Sequence, residues 1–278
     1  LFQRLLPLIT NANAQGEYYL TDCVALSVSI GSDVTGVEGP TEAVMGINDR
    51  AQLASMERKL QIVRRQSLMQ NGVTMVDPDT VYIQGTVEIA PDVIIQPHVV
   101  LVGPILVREN VEIGFGCHLT DVEIGAGTVL KPYSVLESVV VGQHASIGPF
   151  ARLRPGTVLD NHTHIGNFVE TKNTHVGLGS KVNHLSYVGD TDLGQRVNVG
   201  AGTITCNYDG ANKHRTTLGD DVFIGSNTSL VAPVQVGHGA TTGAGSVITR
   251  DVLAGELAIS RAPQHNKAGY QRPTKTKE

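Results

Sequence analysis

The sequence predicts a mainly β chain wound as a parallel β-helix, and three observations carry that prediction. The first is a period of six. From about residue 81 an aliphatic side chain recurs at every sixth position: Ile89, Ile95, Leu101, Val107 and Ile113; then Val141, Ile147, Leu153, Leu159 and Ile165; then Leu218, Ile224, Leu230, Val236 and, past Thr242, Ile248. Six is neither the period of an α-helix nor the plain alternation of a strand. It fits one short strand plus a corner, and three such units close a triangular coil. The second observation is a slip in that period. The gap is eleven from Ile113 to Ile124, from Leu130 to Val141 and from Ile165 to Val176, so one corner is a residue shorter and the register then resumes. The third is composition. Aromatic residues are 4% with no Trp, and there are 31 Gly. Such a chain must build a narrow core from Val, Ile, Leu and Ala and turn many tight corners. At eighteen residues per coil, about 170 residues give roughly nine stacked coils. Each backbone N–H and C=O then pairs with the coil above or below.

The flanks read differently. Residues 1–50 carry no hexads. Leu53, Met56, Leu60, Val63 and Leu68 have helical spacing, so residues 51–71 are predicted as a linking helix. Asn48 or Asp49 would cap it, and it would end near Asn71-Gly72. Residues 72–278 form the β-helix and a tail, extended after Ile259 and containing Pro263 and Pro273. The hexads break once, between Val199 and Leu218, at the polar stretch Cys206–Arg215 with its Asp209-Gly210 turn signal. A solenoid interrupted by a polar loop usually carries it on a binding face, although a decorative loop would read the same.

Several function classes are disfavoured. The net charge is −5 and no basic patch dominates, so nucleic acid is not an expected partner. Lys275 and Lys277 read as a solvated end. No apolar run approaches the roughly 20 residues of a membrane span, and no secretory signal is present. Cys23, Cys117 and Cys206 are far apart and lack metal-ligand spacing. They read as free thiols of a reducing cytoplasm. The chain begins at Leu1 in mid-pattern and reads as a piece of something longer. His162 and His164 are two apart without an obvious third imidazole, so a zinc site is not expected.

Four segments go beyond the repeat: Pro149–Gly156 (PFARLRPG), Gly166–Glu170 (GNFVE), His184–Asp190 (HLSYVGD) and Val197–Gly210 (VNVGAGTITCNYDG). Together they resemble the bacterial bifunctional N-acetylglucosamine-1-phosphate uridyltransferase / glucosamine-1-phosphate N-acetyltransferase family, and the resemblance runs the whole chain. Gly16–Asp22 and Gly46–Arg50 resemble the end of its uridyltransferase domain. The resemblance implies a left-handed coil and residues 1–50 as the remnant of an α/β nucleotidyltransferase domain. It also implies a cytoplasmic homotrimer making N-acetylglucosamine-1-phosphate from acetyl-CoA, in the UDP-N-acetylglucosamine supply for cell wall and lipopolysaccharide. The family's glycine-rich nucleotide loop is missing here. Uridyltransferase activity is therefore not expected of this chain, and Asn48 alone resembles that site's Mg2+ ligand.

The resemblance also assigns roles. His184 becomes the base that takes a proton from the attacking amine, which suits an imidazole titrating near neutrality; as one of ten His it would otherwise read as a surface residue. Arg154 and Lys172 become the clamp on the sugar phosphate, and Tyr187 and Asn198 supply hydroxyl and amide bonds to the sugar. Lys213 becomes a further ligand, offered within the chain or to a neighbouring subunit. Ala201, Asn207, Tyr208, Ser226, Ala244 and Arg261 become acetyl-CoA contacts, with the Ala201 N–H as an oxyanion donor and Arg261 against a CoA phosphate. Two other readings stay open: another hexapeptide acyltransferase, or a structural trimer without activity.

Overall fold

The computed structural model describes residues 1–40 and 44–275. Residues 41–43 of the expected N-terminal segment and Lys277 of the basic tail lie outside the described residues. The chain divides into two compact units, Leu1–Ser55 and Met56–Glu278.

The first unit holds the short helices Phe2–Leu5 and Asp22–Ser29, with Leu5 and Cys23 buried. The long helix Arg50–Gln70 begins in this unit. Asp49 is its cap: the Asp49 carboxylate accepts the Gln52 N–H at 2.7 Å, and the Gln52 side chain accepts the Asn48 N–H at 2.7 Å. This is a reciprocal arrangement of the capping-box type. The helix ends where Gly72 takes φ +94°. The Gly72 and Val73 N–H groups then close on the Met69 and Leu68 carbonyls, as a glycine C-terminus requires.

The second unit is a left-handed parallel β-helix. Eleven short strands stack on one face, from Thr74–Met75 to Leu257–Ala258. The other two faces merge into one fourteen-stranded sheet, because strands such as His118–Ile124 and Tyr187–Leu193 continue round the shortened corner. Pairing is parallel, coil to coil. Ile94 pairs with Glu112, eighteen residues on, and Glu112 pairs with Val129, seventeen on. That alternation is the slip read from the sequence. The hexad side chains point inward: Leu101, Ile113, Ile147, Leu153 and Ile224 are fully buried. So is Thr242, the polar member of the third run.

Two details differ from the sequence reading. First, the hexads continue to Thr205, which is buried, so the interruption covers residues 207–215 only. A hydroxyl was passed over as a core residue, but the Thr205 hydroxyl donates to the Gly189 carbonyl and accepts the Gly189 N–H, which makes its burial tolerable. Second, glycine is not the general corner residue. His144, Phe150, His162, Phe168, Leu185 and Asn227 all turn corners at φ between +50° and +58°. The strain is offset because each coil is locked to the next; the Leu185 N–H, for instance, donates to the Asn167 carbonyl. Glycine turns other corners, such as Gly245 and Gly255 at φ +72°, and elsewhere it is required for space. A Cβ at Gly166 would lie 1.8 Å from the Asn183 carbonyl oxygen of the next coil.

The open bottom of the prism is closed by the helix. Gln61 is buried, and its amide donates to the Ile83 carbonyl at 2.6 Å and accepts the Ile83 N–H at 2.9 Å. Arg65 donates to the Val81 carbonyl and pairs with Asp79 at 2.9 Å. A side chain thus imitates a neighbouring strand and blocks edge pairing. Replacing Gln61 by Leu leaves the Ile83 N–H buried and unpaired, while Arg64 still donates to the Ile83 carbonyl at 2.6 Å, so stability should fall by about 1–3 kcal/mol. A lowered thermal unfolding midpoint would register it, and an unchanged midpoint would refute the capping role.

Candidate active site

The site is laid out by the stacking. Asn167 pairs in register with His184, and four backbone bonds continue the line along the same corner. The carbonyls of Asn167, His184, Ala201 and Ser226 accept from Leu185, Gly202, Asn227 and Gly245 respectively. Asn167, His184, Ala201, Ser226 and Ala244 therefore occupy the same seat in successive coils. At about 4.8 Å per coil they form a straight column. Arg261 stands at its top, donating to the Ala244 carbonyl. Residues far apart in sequence are thus aligned, and the three predicted as acetyl-CoA contacts in the coils rise directly above His184. Among the described residues, the N–H groups of Ala201, Ser226 and Ala244 have no acceptor. His184 is exposed at the end of strand Lys181–His184, with Nδ1 2.8 Å from Asn167 Oδ1.

A second column runs on the adjoining face. Arg154 and Lys172 are consecutive in it, since the Arg154 N–H donates to the Thr171 carbonyl and Leu153 pairs with Thr171. Lys172 in turn pairs with Gly189. Arg154 is held by Glu170 at 2.8 Å. The Lys213 ammonium stands beside Lys172. Together with Arg154 it pushes the Lys172 pKa down, while Asp190 acts in the opposite sense. Among the described residues neither lysine is in a salt bridge. Three cations thus gather, and among the described residues only Arg154 is in a salt bridge, an arrangement that a phosphate would relieve.

Beneath these cations sits Asp190, buried and at φ +49°. Burial works to raise its pKa. Amide bonds from Asn173 (2.6 Å) and Asn207, together with the two ammonium groups, outweigh burial, and the net shift is downward. Asn207 is thereby fixed as the residue from which the loop departs. Gly189 is the opening in this floor: a Cβ there would lie 2.5 Å from the Tyr187 hydroxyl and 2.9 Å from the Asn207 amide nitrogen. The loop itself is a small hairpin, with Tyr208 bridged to Lys213 and the Tyr208 hydroxyl donating to the Gly210 carbonyl at 2.6 Å. Asp209 accepts from the Asn212 and Ala211 N–H groups and from His214. Those bonds hold its carboxyl well below the usual range.

Not every expected residue joins these columns. Asn198 lies on the flat face of the first sheet, paired with Lys181 and Phe223, three residues before Ala201. Asn48 belongs to the first unit. Its neighbour Asp49 is occupied in capping, so the residues present do not make a Mg2+ site by themselves. Among the described residues no group of three or more His, Cys, Asp and Glu could hold a metal, and His162 stacks on His144 instead. The three cysteines are free thiols, and among the described residues no helix is long and apolar enough to cross a membrane. Asn167, Glu170, Asn173, Asp190 and Gly189 were not singled out in the sequence. The only signal for them is their place within the quoted segments or beside them.

The family described as GMPPB C-terminal domain matches residues 78–181, and the bacterial transferase hexapeptide (six repeats) matches residues 215–250. Bifunctional protein GlmU of Acinetobacter baumannii is 56% identical over 275 residues, covering 98% of this chain and 60% of that protein. Bifunctional protein GlmU of Marinobacter nauticus is 55% identical over 272 residues, covering 97% and 60%. The chain thus spans about three fifths of the length of these curated relatives. Among solved structures, LpxA from Acinetobacter baumannii is 21% identical with a TM-score of 0.31, covering 66% of this chain and 70% of that one.

The loop geometry makes a pH prediction. A carboxyl whose pKa is depressed by folding stabilises the fold above the ordinary carboxylate range, and that contribution is lost as pH falls through the depressed value. The hairpin should therefore stay ordered below the pH at which free carboxylates titrate. Asp209→Asn should speed hydrogen exchange at the Ala211 and Asn212 amides at neutral pH. Unchanged exchange would show that the loop is held by other means.

Proposed function

This chain is similar over nearly its whole length to a part of the bifunctional protein GlmU, and on that premise we propose that it moves the acetyl group of acetyl-CoA to the amine of glucosamine-1-phosphate. The observation that carries the reading is the meeting of two columns: a base with unpaired N–H groups rising above it, and a cluster of Arg154, Lys172 and Lys213 on the next face in which neither lysine has a salt-bridge partner among the described residues. The first suits a slim, amide-bearing arm ending in a thioester. The second suits a phosphate dianion.

The steps follow from these groups. Arg154, Lys172 and Lys213 take the phosphate. Tyr187, leaning over Gly189, orders the sugar ring, and Asn198 adds an amide contact. His184 removes a proton from the 2-amino group as its nitrogen attacks the thioester carbonyl. The Ala201 N–H stabilises the oxyanion. Collapse expels the CoA thiolate, which receives the proton from His184. No acyl-enzyme is needed, so Cys206 is dispensable. Ser226, Ala244, Asn207 and Tyr208 line the acetyl-CoA arm, and Arg261 meets a CoA phosphate. Holding the two reactants in line supplies much of the rate. We take the working form to be a cytoplasmic homotrimer in which a neighbouring prism completes the groove. The half-exposed stack of Tyr133, Phe150 and Phe168 on the His184 corner supports such a contact. The Mg2+-dependent uridyltransfer of the whole GlmU is not assigned to this chain.

The test is free-thiol release from acetyl-CoA. Release should require glucosamine-1-phosphate, with glucosamine and serine as poor substitutes. His184→Ala should lower kcat by about 10²–10⁴-fold. Lys172→Ala should raise KM for the phosphosugar and leave KM for acetyl-CoA unchanged. Gly189→Ala should also raise KM for the phosphosugar, since the added Cβ would displace the Tyr187 hydroxyl. Release indifferent to the phosphate would point to another acyltransferase. A folded protein with no release would favour the structural reading.

A further inference from the structure

We propose that Asn167 is a positioning residue that sets the tautomer of His184; this rests on the reading of His184 as the base. The Asn167 side-chain oxygen lies 2.8 Å from His184 Nδ1, and an amide oxygen can only accept. Nδ1 must then carry the ring proton, and Nε2 is left with its lone pair directed away from Asn167, free to take a proton from an amine. Among the described residues no other group bonds to this ring. An exposed imidazole without such a partner favours the opposite tautomer in water, with Nε2 protonated and useless as an acceptor. One amide therefore decides whether the base is ready before substrate arrives.

The fold keeps this pair together in three ways. Asn167 and His184 end adjacent parallel strands in exact register partnership. Each is followed by a residue in the left-handed region, Phe168 at +55° and Leu185 at +50°, so both side chains leave their coils at the same point of the same corner. Gly166 lets the coils approach, because any Cβ there would collide with the Asn183 carbonyl. The choice of an amide also has a chemical meaning. A carboxylate in its place would accept the same proton but would stabilise the imidazolium. The amide fixes the orientation without rewarding the charged form, which favours release of the proton to the departing thiolate.

The experiment combines a spectroscopic and a kinetic arm on the whole chain. In protein labelled with ring-15N histidine, the His184 signals are identified by their loss in His184→Ala. The wild type should show Nδ1 protonated and Nε2 bare. Asn167→Leu should move the ring toward the Nε2-protonated form and lower kcat by about 10–100-fold, less than the 10²–10⁴-fold span of a general base. KM for both substrates should stay within about twofold, since neither substrate loses a binding group. Asn167→Asp, which keeps the acceptor, should restore the Nδ1-protonated ring but only part of the kcat, because the carboxylate holds the imidazolium. A wild-type ring protonated at Nε2 would overturn the proposal, as would an Asn167→Leu enzyme with unaltered tautomer and kcat. Should His184→Ala retain activity, the assignment of the base itself has failed, and that result is read independently of any Asn167 variant.

Discussion

Everything in the second unit depends on parallel pairing between one coil and the next. That pairing satisfies the backbone and fixes the pitch, and it forces each residue to share its seat with residues seventeen or eighteen places away. The aliphatic hexads follow from it, because only side chains of repeating volume fill a prism of constant width. The left-handed corners are tolerated for the same reason: the Leu185 and Gly202 N–H groups have carbonyl partners waiting one coil below. Pitch also dictates some of the glycines, as the Asn183 carbonyl over Gly166 illustrates.

The candidate site inherits its geometry from this pairing rather than from any local device. His184 and Ala201 are neighbours because they are one coil apart, and so are Arg154 and Lys172. Only the hairpin at 207–215 escapes the repeat. It is anchored where it leaves the coil, by the bond between Asn207 and the buried Asp190. Its lysine returns to the cations already assembled on the coil. The rigid columns and the one excursion therefore divide the work: the coils set distances, and the loop brings a charge that no coil position offers.

The sequence disclosed the period, the slip and the interruption, because each leaves a regular trace in residue type. It pointed to His184 and the cations as candidates through resemblance, not through spacing. What it hid were partners that depend on stacking. Asn167 and His184 are seventeen residues apart, the local coil length that the gap from Ile165 to Val176 gives, but spacing alone does not say which side chains of stacked coils bond. Asp190 hid for another reason: a carboxylate at a β-helix corner reads as solvated, and only the amides of Asn173 and Asn207 make its burial possible. Thr205 was missed as core because its hydroxyl looks polar until the Gly189 backbone is seen to satisfy it. Nor did the sequence show that the hairpin carries the Lys213 ammonium beside Lys172.

The column from His184 to Ala244 has an implication for how such a chain can change. Its length is quantised. A ligand lying along it is measured in whole coils, and no point substitution can lengthen or shorten that measure by a fraction. Accommodating a longer or shorter arm would take the gain or loss of an entire turn of some eighteen residues, whereas side-chain exchange can only retune the chemistry at each step. Reach and reactivity are thereby inherited separately in this architecture.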